Sequence, residues 1–196
     1  MEYRLKQKDL LATLGLWNGF LNKKVHLIAC GGTALTLLGV KESTKDVDML
    51  VPVDQEYNYL IKTLEQLGYV QETGSGWRRK GELFVFDLFK GKRVHTTELL
   101  ESPLEKVNHT LIKELSHIYI GALNPYDLIV SKLFRGTNVD VDDCLMLFRA
   151  KHKEITLDLL RERFIETAKY DTSQDRLIKD WEYYEQVFKK EKSNGK

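Results

Sequence analysis

VHLIACGGTALTLLGVKESTKDVDMLV, residues 25–51, is the stretch on which the fold turns. Its opening VHLIAC (25–30) is a short apolar run with β-branched residues and reads as a buried strand. Gly31-Gly32 ends that strand, and TALTLLGV (33–40) reads as a helix closing near Gly39. A polar turn then leads into a second strand, where Val47, Met49 and Val51 alternate with Asp48 and Leu50 until Pro52 stops it.

Upstream, residues 3–22 read as an amphipathic helix carrying Leu5, Leu10, Leu11, Leu14 and Leu16. Downstream, Asp54 is placed to cap a helix through Leu67, which Gly68 ends. Residues 69–91 hold strands broken by Gly74, Gly76 and Gly81, with ELFVFDLF (82–89) strongly β-prone. HIYIGAL (117–123) is one further strand. From Asn124 the pattern turns helical, over 125–135, 140–151, 156–168 and 173–191. Asn124 caps the first of these with Pro125 at its first position, Thr156 the third, and Thr172 or Ser173 the fourth. The final KKEKSNGK is expected to fray. The expectation is a single α/β (α+β) domain over 1–196: a core at 23–123 with a small mixed sheet flanked by helices, and a C-terminal helical region at 124–192 packed on it.

Bulk composition excludes little. Lys plus Arg is 30 and Asp plus Glu 29, so the formal charge of +1 argues neither for nor against nucleic acid. The two cysteines, Cys30 and Cys144, lack zinc-ligand spacing and read as packed thiols of a reducing compartment. No apolar run is long enough to span a bilayer, and the N-terminal stretch lacks a signal-peptide pattern, so a cytoplasmic protein without membrane attachment is expected.

Three features carry chemistry together. Gly31-Gly32 at a strand–helix junction lets backbone approach a ligand, and the helix N-terminus suits a phosphate, with Thr33 adding a hydroxyl. Asp46 and Asp48 stand two apart, so along a strand they project to one side, where like charges repel unless a hard cation lies between them. Asp87 interrupts Phe84-Val85-Phe86-Asp87-Leu88-Phe89, where a lone charge is costly to bury unless paired or metal-bound. Separately, a double glycine is commonly a tight turn, an Asp-x-Asp pair a solvated strand edge, and an isolated Asp a water-facing residue. The weight falls on the combination.

That combination resembles the DNA polymerase β-type nucleotidyltransferase superfamily, in Cys30-Gly31-Gly32, then Asp46-Val47-Asp48-Met49, then Phe86-Asp87-Leu88. Within it, GGTALTLLGVKESTKDVDMLV (31–51), with its Thr44-x-Asp-apolar-Asp segment, looks like the compact abortive-infection toxin-type nucleotidyltransferases. NPYDLIVSKLFRGTNVDVDDCLMLF (124–148) resembles their C-terminal helical motif. The resemblance implies a minimal nucleotidyltransferase fold and transfer of a nucleoside monophosphate from a nucleoside triphosphate. Asp46, Asp48 and Asp87 would be the catalytic, metal-holding carboxylates for magnesium or manganese. Gly31, Gly32, Thr33 and Lys132 would hold the nucleotide, with Asp140 and Asp143 organising Lys132. Many relatives carry Arg before the Asp pair, where this chain has Lys41-Glu42; Lys41 can supply charge but no forked contact.

Weaker candidates remain. Trp77-Arg78-Arg79-Lys80 reads as a Gly-flanked loop able to stack on a base and hold nucleic-acid phosphates, or as a solvated hairpin tip. Arg135 shares a helix face with Lys132 or serves as a salt-bridge partner. His26, His95, His109, His117 and His152 show no metal spacing, and DWEYYEQVF reads as packing. The acceptor could be RNA, protein or a small molecule such as an aminoglycoside, with a cognate antitoxin as a further partner. The alternative is a non-catalytic nucleotide- or partner-binding module of the same fold.

Overall fold

A computed structural model describes residues 3–194. The chain opens on β1 (Leu5–Lys6) and α1 (Gln7–Asn18), followed by β2 (Val25–Ala29) and α2 (Gly31–Leu37). Next come β3 (Ser43–Thr44), β4 (Val47–Val51) and α3 (Asp54–Gln66). Four strands follow, β5 (Tyr69–Gln71), β6 (Gly76–Arg79), β7 (Phe86–Lys90) and β8 (Arg93–Val94). Then come β9 (Thr97–Glu98), β10 (His109–Glu114) and β11 (Ile118–Leu123). The rest is helical: α4 (Pro125–Arg135), α5 (Asn138–Ala150), α6 (Leu157–Ala168) and α7 (Gln174–Asn194).

The main sheet is mixed, ordered β10-β11-β2-β4-β7-β6-β5. β11 runs parallel to β2, and β4 parallel to β7. Between those two pairs, β2 and β4 meet antiparallel at Ile28↔Leu50 and Ala29↔Met49. The central strands are apolar on both faces because helices cover both, which is why VHLIA and VDMLV read as near-continuous apolar runs. One buried apolar cluster runs from Leu5 through the sheet to Phe188. Trp17 of α1 packs on Phe86 with ring centroids 4.4 Å apart, while Phe164 of α6 meets Phe134, Trp181 and Tyr184.

Several sequence expectations move. The N-terminal helix is shorter than 3–22, because Leu5 and Lys6 pair with Thr44 and Ser43 as a strand. The helix after the glycine pair starts at Gly31 itself. Asp54 is the first helical residue rather than the cap, a position held by Val53. Asn124 caps α4 as expected, accepting the Asp127 N–H, and the Thr137 hydroxyl caps α5. Thr156 occupies the cap position of α6 without a side-chain bond. The helical pattern of α7 carries through most of the segment expected to fray; Gly195 and Lys196 lie outside the described residues.

Trp77, Arg78 and Arg79 are not a loop. They form β6, with Trp77 opposite Phe86 and buried, so its ring is not free to stack on a nucleic-acid base. Arg78 pairs with Glu72, and Arg79 with Glu82. No helix among the described residues is long and apolar enough to cross a membrane.

Candidate active site

Register brings two of the three aspartates together. In the parallel β4–β7 pair, Asp48 stands directly opposite Asp87, so both side chains leave the same face of neighbouring strands. Asp46 precedes β4 by one residue and lies two before Asp48. On the far side of β7, Asp87 faces Gly76, which has no side chain, and Ser75 Oγ donates to Asp87 Oδ1 at 2.7 Å.

α2 is fitted tightly against this pair. Gly31 has φ +55, in the left-handed region, and a Cβ there would overlap the Asp48 carboxylate. A Cβ at Gly32 would stand 2.7 Å from Thr44 Oγ1. Only glycine allows the helix to begin this close to the carboxylates. The Thr33 hydroxyl is buried and engaged with the chain: it donates to the Asp46 carbonyl at 3.0 Å and accepts the Asp48 N–H at 2.9 Å. Thr44 Oγ1 donates to the same Asp46 carbonyl at 3.2 Å. In this arrangement Thr33 and Thr44 fix the aspartate backbone, leaving Gly31 and Gly32 as the groups at the site's edge.

A second cluster backs the first. Lys132 is 3% exposed, with Nζ 2.8 Å from Asp143 Oδ2 and 3.5 Å from Asp140 Oδ1. Lys41 Nζ reaches Asp143 Oδ1 at 2.7 Å, so the turn that follows α2 is tied to α5. Arg135 pairs with Asp140 and also donates to His95 Nε2 at 3.0 Å. Thr137 Oγ1 donates to Asp140 Oδ2 at 2.7 Å. Three cations against two carboxylates leave this cluster net positive beside the aspartates.

The electrostatics follow. Burial, then Asp87, raise the Asp48 carboxyl to about 7; Asp46 adds to this, while Lys132 and Arg135 oppose it. Asp46 is raised by desolvation and by Asp87, against a hydrogen bond from the Val85 backbone. Burial also pushes on Asp140, but hydrogen bonds from Arg135 and Thr137 outweigh it and hold that carboxyl below its ordinary value. His95 is lowered by burial and by Arg135, with Asp87 and Asp140 pulling the other way. An imidazole accepting an Arg135 N–H is neutral at that nitrogen.

Among the described residues, no three His, Cys, Asp or Glu side chains close into a ready-made metal cage. By chemistry the donors present, carboxylate oxygens, are those a hard divalent cation prefers. Asp48 and Asp87 leave one face side by side, and burial followed by the charge of Asp87 raises both Asp48 and Asp46, a crowding of oxygen donors that a hard cation would relieve.

Residues 19–192 match the family described as "Nucleotidyltransferase of unknown function (DUF6036)". The chain belongs to that family. No protein of curated function matches it by sequence. Among solved structures, ANT(2'')-Ia in complex with adenylyl-2''-tobramycin is similar at a TM-score of 0.52 and 16% identity, covering 79% of this chain and 92% of that one. A putative nucleotidyltransferase (TM1012) from Thermotoga maritima aligns at a TM-score of 0.44 and 16% identity, over 78% of this chain and 98% of its own. At such identity the first likeness speaks for the nucleotidyltransferase fold alone.

Two participants escaped the sequence reading. His95 sits in the β8–β9 turn at φ 52, with its ring against Phe89, two residues beyond Asp87. Ser75 reaches Asp87 from the loop before β6. Neither lies in a motif; both arrive through strand pairing and packing.

Proposed function

We propose that the protein transfers a nucleoside monophosphate from a nucleoside triphosphate to an acceptor hydroxyl. The observation that carries this reading is Asp48 opposite Asp87, with Gly31 packed on the Asp48 carboxylate. Asp46, Asp48 and Asp87 would hold a divalent cation, magnesium or manganese. The chemistry supplied at that position would be Lewis-acid stabilisation of the negative charge that builds up as the phosphoryl group is transferred and pyrophosphate departs.

The chain's own residues supply the rest. Backbone at Gly31 and Gly32 approaches the phosphates, with no Cβ to keep them off. Asp87, oriented by Ser75, accepts the proton of the acceptor hydroxyl. Lys132, held between Asp140 and Asp143, contributes positive potential behind the aspartates rather than a mobile contact. Thr33 and Thr44 keep the Asp46–Asp48 backbone from shifting under load.

Each radiolabelled nucleoside triphosphate would be incubated with magnesium, cellular RNA, cellular protein and small-molecule fractions, beside an Asp46→Asn/Asp48→Asn control. Label transferred only by the intact protein is the expected result and identifies the acceptor class. Nucleotide binding without transfer, lost in the control, would instead favour a non-catalytic module. Transfer retained by the control would end the carboxylate reading.

A further inference from the structure

At the far end of α4 from its cap, a cavity of about 370 Å³ opens beside the site. Arg93, Arg135 and Arg176 line it, with the hydroxyl residues Thr96, Thr172 and Ser173 between them. Asp171 is the single carboxylate in the lining, and its Oδ1 already accepts the Ser173 N–H at 2.7 Å.

The three guanidinium groups come from separate parts of the chain. Arg93 belongs to β8, Arg135 ends α4, and Arg176 lies in the first turn of α7. Arg93 is exposed, and its guanidinium makes no hydrogen bond or ion pair with any described residue. Arg176 meets Asp180 at 3.1 Å, one turn along its own helix and well exposed, a pairing weak enough to yield to a ligand.

The cavity is coupled to the chemistry. Arg135 is both a wall of it and a group acting on Asp48. His95, between the lining residues Arg93 and Thr96, is bonded to Arg135 and feels Asp87. A neutral His95 accepting from Arg135 orients that guanidinium without adding to or subtracting from its charge.

We propose that Arg93, Arg135 and Arg176 form a subsite for a phosphate group on the acceptor. This rests on the nucleotidyl-transfer reading and narrows its acceptor to a phosphate-bearing molecule. Guanidinium forks match phosphate oxygens in geometry and charge, whereas a polycation would meet a lining of three arginines against one carboxylate, Asp171. An acidic cavity that would suit a cation, with Glu101, Glu162 and Glu166 in its wall, adjoins Tyr126 at the other end of α4. Eleven residues of helix separate the two by ~15 Å, and it is the arginine-lined cavity, not the acidic one, that shares a wall residue, Arg135, with the groups acting on Asp48.

Inorganic phosphate would be titrated into the full chain and followed in amide spectra, with magnesium and each of four non-hydrolysable nucleoside triphosphate analogues present at saturation. Phosphate is expected to bind beside the analogue, and Arg93→Glu and Arg176→Glu each to weaken it about ten-fold or more while analogue affinity is kept. Phosphate affinity unchanged in both variants overturns the subsite. Analogue affinity falling in step with phosphate affinity assigns the guanidinium groups to the donor and overturns the acceptor proposal. If no analogue binds, the nucleotidyl-transfer reading fails by itself, and phosphate titrated alone against the same variants still tests the subsite.

Discussion

Asp48 is kept from its ordinary charge state by its surroundings, since burial and two neighbouring acids outweigh Lys132 and Arg135. Its folded carboxyl, at about 7, lies above the unfolded value near 3.8, so the folded state holds the extra proton between them. The stability this gives is complete below the unfolded value and is lost as pH rises through about 7. Asp48→Asn should therefore stabilise the metal-free protein at pH 8 by a few kcal/mol, at most about 4, or roughly 2–4 °C in Tm for each. Magnesium should raise the Tm of the parent and not of the variant; a variant melting below the parent would contradict this. Transfer at limiting magnesium should likewise rise with pH through about 7, with saturating magnesium moving the inflection lower, because metal and proton compete for the same oxygens. At this scale the sequence was legible where strand register mattered: Asp48 and Asp87 leave the same face of neighbouring strands, with Asp46 just ahead of β4. It was not legible for His95, Arg93 or Arg176, whose neighbours are set by a turn and by helix packing with no local pattern.

The junction between β2 and α2 is the element on which the site depends. Gly31→Ala places a methyl group into the Asp48 carboxylate at a positive φ, so it should cost about 2 kcal/mol and abolish transfer. Gly15→Ala in α1 meets nothing within 4 Å and should instead stabilise by roughly 0.5 kcal/mol with transfer unchanged. Paired urea melts and transfer assays check both; equal effects at the two positions would remove the special status of Gly31. Elements with clear boundary chemistry were readable from sequence, as in α4 between Asn124-Pro125 and Gly136. β10 was not: most of its side chains are exposed, with a register shift between Leu111 and Lys113, so burial never stamped an alternation on it. β6 was misread as a loop because flanking glycines suggest a turn, while pairing with β7 and the burial of Trp77 decide otherwise.

Across the whole molecule, the cluster around Lys132 joins the halves that the sequence separates at Asn124, with Lys41 reaching Asp143 from the first half. Through Asp143 Lys132 shares a carboxylate with Lys41, and through Asp140 it meets Arg135, so the C-terminal helices hold the flank of the carboxylate site. Lys132→Met should destabilise by roughly 2–3 kcal/mol, less than for a fully broken buried pair because Lys41 and Arg135 still contact the acids. Transfer should fall by about 10²-fold, measured beside a urea melt; a variant keeping full transfer would confine Lys132 to structure. The halves of the sheet are joined differently. Two parallel pairs, β11 with β2 and β4 with β7, meet along the short antiparallel contact of Ile28 and Ala29 with Leu50 and Met49. Gly31 continues from one side of that seam and Asp48 stands on the other. A substrate touching both would act as a bolt through the seam, so occupancy of the site and mechanical cohesion of the sheet become one property.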